Sequence, residues 1–434
     1  MIKELQSPPG PAAIHRTIDA VWRVEGTRVI AHVARLVRDL GVAEELAHDA
    51  LVSALEHWPV NGLPDNPAAW LMTTAKNRAL DRLRADALHA RKHEELGADL
   101  DALGSQVVPD FVDALDDARR DDIGDDLLRL VFTACHPVLP APARVALTLR
   151  LLGGLSTDEI ARAFLAPEPT IAQRIVRAKR TLTEARVPFE VPRGPALCAR
   201  LDSVLEVIYL IFNEGYAATG GDGWMRPGLC TEALRLGRVL HGLMPQEPEV
   251  HGLLALMAIQ TSRAAARLDP AGRPVLLLEQ DRSRWDPLLI REGLAALDRA
   301  ESLGGARGPY ALQAALAACH ARAVRAEDTD WVRIVALYDT LNEVAPSPVA
   351  ALNRAVAVAM AFGPAAGLSL VDGMRDDPRL LRYPWLPSVR AELLAKLGRR
   401  AEAGAELERA AAVTNNVAER QLLRDRAAAL KERA

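Results

Sequence analysis

GLSTDEIARAFLAPEPTIAQRIVRAKRTL, residues 154 to 182, is the stretch on which the reading of this chain turns. Ser156 and Glu159 have the spacing of a capping box, and Leu155 can staple onto Ile160, so a first helix has a defined start. That helix is expected to end near Leu165. Pro167 disfavours its continuation and Pro169 suits the first position of a second helix, which leaves a turn of a few residues between the two. On the second helix Ile171, Ile175, Ala178 and Leu182 repeat at spacings of four, three and four and form one apolar face. Thr170, Gln173, Arg174, Arg177 and Arg180 are then left outward, and these residue types read base edges and phosphates. The pattern is a helix-turn-helix candidate, although periodicity alone fits any amphipathic helix pair.

The rest of the chain bounds the choice. Its 434 residues leave room for several domains, half of them are hydrophobic, and Ala, Leu and Arg dominate over a few aromatics. Such a mixture favours helices, and an all-α fold is expected. Residues 1–20 lack an apolar signal core, and the apolar run from Val349 to Gly363 is broken by Asn353 and Arg354, so no membrane segment and a cytoplasmic location are expected. Cys135, Cys198, Cys230 and Cys319 have no CxxC spacing, which predicts buried thiols and neither a disulfide framework nor a zinc site.

The net charge of −4 hides an uneven distribution. From Glu94 to Asp126 twelve acids stand against Arg119 and Arg120, a net of −10 in a stretch with interspersed Pro and Gly that reads as a linker. Outside it, residues 1–190 carry 21 Lys and Arg against 16 Asp and Glu, so the flanking helical blocks are basic and an acidic total does not exclude nucleic acid.

In chain order, Ala12 to Leu40 is helical with Val29, Val33 and Leu36 on one side, and Gly41 is expected to end it. Ala43 to Trp58 follows, with Leu46, Ala50, Leu51, Ala54 and Leu55 inward. Glu45, His48, Asp49, Ser53 and Glu56 are left outward, an acidic face whose ordinary role is solvated surface. After a polar loop, Asn66 caps a third helix with Pro67 first, running to about Arg84. Leu71, Ala75, Ala79 and Leu83 should be buried there, while Lys76, Arg78, Arg82 and Arg84 stack cations on the rest. Trp70 can stack on a base, but core packing is the commoner use of such a tryptophan.

AEELAHDALVSALEHWP, then NPAAWLMTTAKNRALDRLR, an acidic linker and a helix-turn-helix together resemble a bacterial extracytoplasmic-function (ECF) sigma factor. The resemblance implies that residues 1–90 are sigma region 2, 91–126 the linker and 127–190 sigma region 4. It implies that Glu45, His48, Asp49, Ser53 and Glu56 meet the clamp helices of core RNA polymerase, with the flap as a further contact. Trp70, Lys76, Asn77, Arg78, Arg82 and Arg84 would serve the minus-10 element of promoter DNA, with Asp81 at a recurring polar position. Thr170, Gln173, Arg174, Arg177 and Arg180 would serve the minus-35 element. This chain has His48 where the family often has Gln, and Ala166 where it commonly has Gly. The order of these parts is more specific than any one of them.

Such sigma factors normally end near residue 190, and Val187 to Pro195, rich in Pro and Gly, marks a boundary here. Residues 195–434 read as a helical extension in which FGPAAGLSLVD recurs as LGRRAEAGAELER. Gly363 and Gly398 lie 35 residues apart in it, close to a tetratricopeptide period. YLIFNEGY (Tyr209 to Tyr216), LLEQDRSRWDP (Leu277 to Pro287), GPYALQAALAACHARA, TDWVRIVALYD and SPVAALNRAVAVA resemble the long C-terminal domain of one sigma-factor subgroup. The resemblance implies that this domain regulates the factor, with a protein or small-ligand regulator as partner. In FTACHP, Ala134 stands where that group tends to carry a second Cys.

His89, His93 and Glu94 have helical metal spacing without a partner set, so no metal and no cofactor are expected. Asn213, Glu214, Tyr216, Asp281, Arg282, Arg284, Trp285 and Trp331 can line a ligand pocket, and capping or ion pairing between helices explains them equally well. Three classes remain: an initiation factor with a control domain, a helix-turn-helix activator with a tetratricopeptide-like sensor that never joins the polymerase, and an enzyme. No GxxxxGK[ST], GxSxG or HExxH occurs, so no enzyme is expected. The activator has no use for the region-2 block, and the initiation factor is the reading this sequence favours.

Overall fold

The computed structural model describes residues 11–97, 122–164, 166–217, 225–270, 272–381, 383–414 and 417–432. The fold is all-α, with no strand among the described residues. The chain divides into two compact units, Met1–Val207 and Ile208–Ala434.

In the first unit, α1 (Pro11–Val37) and α2 (Leu40–Asn61) are separated by Arg38, which takes a positive φ of 55°. The Asp39 side chain caps α2, accepting from Gly41 N at 2.7 Å and Val42 N at 2.9 Å. Gly41 therefore lies in the first turn of α2 and does not end α1 as expected: the Asp cap decides the boundary. α2 passes through Pro59 and stops at Gly62, where φ is 85°. α3 (Pro67–Gly97) starts on Asn66, whose Oδ1 accepts from Ala69 N at 3.1 Å, and outruns the expected end at Arg84. Ile18, Val29, Val33, Ala50, Ala54, Trp58, Leu71, Ala75 and Ala79 are buried. Leu83, expected with them, is exposed, as is every residue from Asp81 to Leu88: α3 projects beyond the helices that cover its first half.

α4 (Asp122–Ala134), α5 (Ala141–Leu151), α6 (Thr157–Ala163) and α7 (Glu168–Glu184) complete the unit with the first part of α8 (Pro195–Tyr216). Asp126, read above as the last linker acid, sits inside α4 at 1 % exposure. Its carboxylate meets Arg129 Nη1 at 2.6 Å, Arg35 Nε at 3.2 Å and His32 Nδ1 at 3.4 Å, so this acid joins α4 to α1. A buried carboxylate without such partners would cost several kcal/mol.

In the second unit, α9 (Pro227–Leu243), α10 (Pro248–Ser262), α11 (Pro287–Ser302) and α12 (Pro309–Arg322) precede a run of paired helices. These are α13 (Trp331–Val344) with α14 (Pro348–Phe362), α15 (Pro364–Asp372) with α16 (Trp385–Lys396), and α17 (Arg400–Val413) with α18 (Val417–Glu432). Leu352, Leu368, Val371, Leu394, Leu407 and Leu423 share one core. Gly363, between α14 and α15, has φ 99°, and Gly398, between α16 and α17, has φ 78°. The 35-residue spacing thus places two glycines at turns that L side chains adopt with strain. Cys135, Cys230 and Cys319 are buried, and burial pushes the first two up to about 11. Cys198 is exposed on the first turns of α8, against the expectation of four buried thiols.

Candidate nucleic-acid interface

The helix-turn-helix is built by its caps and one apolar stripe. Ser156 Oγ accepts from Glu159 N at 3.1 Å while Glu159 Oε2 accepts from Ser156 N at 2.8 Å, the complete capping box. α6 ends at Ala163, two residues short of the expected Leu165. α7 opens at Glu168 and carries Pro169 in its first two positions, where the missing N–H is harmless. Thr157 Oγ1 donates to Glu168 Oε1 at 3.2 Å across the turn. Ile171, Ile175, Ala178 and Leu182 are all buried. Thr170, Gln173, Arg177 and Arg180 are exposed and Arg174 is half-buried. Arg180 leans on Glu184 at 3.1 Å, whereas Arg174 and Arg177 make neither an ion pair nor a side-chain hydrogen bond. Two unengaged guanidiniums beside Thr170 and Gln173 suit contact with phosphates and base edges.

On α3, Asn77 is exposed and Lys76 half-buried. Arg82 pairs with Asp86 and Arg84 with Asp81, both at 3.2 Å on open surface, where such pairs contribute little and exchange readily. Arg78 instead turns to α2, donating to Ser53 Oγ at 2.7 Å and lying 3.4 Å from Asp49 Oδ2. Trp70 is half-buried and meets Trp58 edge-on at 5.4 Å, the packing role that the sequence left as its commoner use.

The acidic face of α2 is less uniform than its periodicity implies. Glu45 and Glu56 are exposed, Asp49 is half-buried, and Ser53 is buried at 7 %, against the expectation that it faces outward. Arg78 covers it, and its hydroxyl donates to Asp49 O at 3.0 Å. His48 is also engaged: its Nδ1 lies 2.7 Å from Glu44 O, its ring 5.4 Å from Trp22 and its Nε2 3.4 Å from Arg150 Nη2.

The residue that sequence reasoning missed is Glu44. It is 6 % exposed and receives Arg150 Nε of α5 at 2.7 Å together with Lys179 Nζ of α7. Burial pushes its carboxyl up, but Lys179 and Arg150 outweigh that and hold it below its ordinary 4.5. Thr183 Oγ1 of α7 donates to Asp39 Oδ2 at 2.9 Å beside it. α2 and the helix-turn-helix are therefore clasped, with the outward face of α7 turned away from the clasp. A sequence signal existed: Glu44 shares the helical side of Ala47 and Leu51, a carboxylate on a largely apolar stripe.

The candidate pocket residues of the second unit are mostly engaged. Glu214 pairs with Arg226, Asp281 Oδ1 accepts from Ser283 N at 3.0 Å, Arg284 Nη1 donates to Leu268 O at 3.4 Å, and Trp331 stands edge-on to His320 at 5.3 Å. Asn213 is exposed. The side chains of His89, His93 and Glu94 lie outside the described residues.

Comparison with known proteins defines the class first. Sigma-70 region 2 matches residues 22–88, Sigma-70 region 4 matches residues 129–182, and a family of unknown function (DUF6596) matches residues 200–301. The ECF RNA polymerase sigma factor SigK of Mycobacterium ulcerans is 32% identical over 160 residues, 36% of this chain and 78% of the relative. The probable ECF RNA polymerase sigma factor SigI of Mycobacterium tuberculosis is 27% identical over 205 residues, 45% of this chain and 68% of the relative. An uncharacterized protein of Rhizobium meliloti is 44% identical over 391 residues, 90% of each chain. No solved structure matches. The protein is a sigma factor, and it belongs to the ECF RNA polymerase sigma factors. Among the described residues no helix is long and apolar enough to cross a membrane.

Proposed function

We propose that this chain joins core RNA polymerase in the cytoplasm through the exposed acids of α2, holds promoter DNA through α3 and α7, and is regulated by its C-terminal extension. The observation that carries the reading is the outward face of α7, where Arg174 and Arg177 stand unengaged by any described residue above a fully buried apolar stripe. Its contacts to phosphates would supply salt-dependent affinity and its contacts to base edges the preference for a promoter. Binding of flipped bases by α3 would offset part of the cost of opening the duplex. Within this reading Glu45 and Glu56 are the acids available to basic residues of the clamp helices, since Asp49 and Ser53 already hold Arg78.

Run-off transcription with purified core polymerase tests the function. The intact chain should direct a defined start. Reversing Glu45 and Glu56 to Lys should abolish co-purification with the polymerase while helical circular dichroism is unchanged, because both side chains are exposed. Unaltered co-purification would favour an activator that never joins the core enzyme.

A further inference from the structure

Three arginines meet around two aromatic rings in the second unit. The Arg267 guanidinium stacks 3.6 Å from the Tyr216 ring, and Arg263 lies 5.8 Å from the same ring. Arg263 is also 5.7 Å from the Trp285 ring, with Arg282 on that ring at 4.9 Å. Arg263 and Arg267 are each 8 % exposed and Trp285 5 %. Among the described residues none of the three guanidiniums forms an ion pair.

Their existing partners are neutral. Arg267 donates to Tyr216 O at the end of α8, and Arg282 donates to His320 O and Ala323 O, each at 2.6 Å, at the end of α12. Those carbonyls carry the negative end of a helix dipole and compensate two of the charges in part. Among the described residues Arg263 donates only to the Tyr216 hydroxyl and the Gln260 amide oxygen. Burial holds the Arg267 and Arg282 guanidiniums below the usual arginine range, and the Arg263 charge adds to this in both, offset in part at Arg282 by the more distant Glu327 and Asp328. Burial, then Arg263 and Arg282, push His320 down to about 4, so it stays neutral and adds no charge at pH 7. The Trp285 indole Nε1 and the Arg282 Nε are buried donors with no hydrogen-bond partner. Cations only partly offset and orphaned donors in one buried cluster are costly unless something completes them.

We propose that Arg263, Arg267 and Arg282, with the Trp285 indole N–H, form a binding site for a small oxyanion ligand, one bearing a phosphate or several carboxylates. Guanidinium groups match both chemistries with paired, charge-assisted hydrogen bonds. The site joins the end of α8, the segment after α10 and the end of α12, so an occupant would tighten all three. It stands independently of the polymerase reading, and its test requires no polymerase.

The full chain, purified in a chloride buffer, is titrated with inorganic phosphate and separately with citrate, against sodium chloride at matched ionic strength. The expected result is one saturable site by equilibrium dialysis with radiolabelled phosphate, competed by citrate if the site takes carboxylates as well. Arg263→Gln, which keeps a polar group beside Tyr216 but loses the charge, should lower affinity about tenfold or more. Without the anion it should melt no lower than the wild type, because a repulsion has been removed. A thermal rise that chloride reproduces, non-saturable uptake, or full binding by the variant would overturn the site. Should the variant fail to fold by circular dichroism, dialysis on the wild type still decides between one saturable site and none.

Discussion

No described residue engages Arg174 or Arg177 by an ion pair or a side-chain hydrogen bond, so their substitution reads a contact with DNA and little else. Arg174→Ala and Arg177→Ala should each weaken promoter use in run-off transcription. A base-edge contact should cost about 1 to 3 kcal/mol and relax preference at one position, whereas a phosphate contact should weaken all sequences alike and flatten the salt dependence. Glu44 calls for the opposite experiment, since its role is internal. Its carboxyl titrates below its ordinary 4.5, so the clasp contributes stability above that value and loses it as the pH falls through the lower folded value. Protection of the α7 amides from hydrogen exchange, taken relative to the intrinsic rate at each pH, should therefore be high at neutral pH, fall as the pH drops through the lowered Glu44 value, and be low at neutral pH in Glu44→Ala. Exchange in α7 that ignores both the variant and the acid would remove the clasp. The stripe Ile171, Ile175, Ala178 and Leu182 was legible because a helix repeats its own faces. Glu44, Ser53 and Asp126 were not, because their partners Lys179, Arg78 and Arg35 lie 135, 25 and 91 residues away and one sequence records no pairing.

Elements were legible in proportion to their local signals. The α6 start was written in full by Ser156 and Glu159, and the α3 start by Asn66 and Pro67. The break between α1 and α2 was assigned to Gly41 because glycine is the commoner terminator, yet the Asp39 side chain reaches Gly41 N and Val42 N and starts a new helix there. The stretch of α3 from Asp81 to Leu88, exposed throughout, had no apolar face to announce it, and helix formers such as Arg, Leu and Ala carried it onward. In the extension the two glycines 35 residues apart mark equivalent turns. A Cβ at Gly363 or Gly398 would meet no atom within 4 Å, so substitution is penalised through the backbone alone. Gly363→Ala and Gly398→Ala should each destabilise the chain by about 1 kcal/mol in urea denaturation. A third substitution at Gly404, which lies inside α17 with open space around it and no positive φ, should be neutral or slightly stabilising. Equal losses at all three would mean that the repeat turns are not the strained positions.

At the scale of the whole molecule, the Pro- and Gly-rich stretch from Val187 to Pro195 suggests a cut near residue 192, but the first compact unit continues to Val207, inside α8. The reason is a set of contacts that composition cannot show. Arg200 Nη2 donates to Phe132 O at 2.8 Å, Ser203 Oγ donates to Cys135 O at 2.5 Å, and Arg144, only 9 % exposed, reaches Ser203 and Glu206. The first half of α8 is thus bound to the helix-turn-helix region although it belongs by sequence to the extension. A fragment ending at Pro192 loses every one of these contacts, and one ending at Val207 keeps them. Hydrogen bonds of this kind contribute about 1 kcal/mol each, so the longer fragment should be more stable in urea by about 2 kcal/mol or more. Coincident unfolding curves would mean that the first half of α8 adds nothing to the unit. The longer fragment is also the sound reagent for asking what the extension does, because it removes Ile208 onward without exposing Arg144. Its run-off activity should differ severalfold from that of the intact chain, as coupling energies between sites of about 1 to 3 kcal/mol imply. Equal activity of the two in vitro and in cells would remove the regulatory role, and a difference seen only with the fragment cut at Pro192 would trace it to damage in the helix-turn-helix unit.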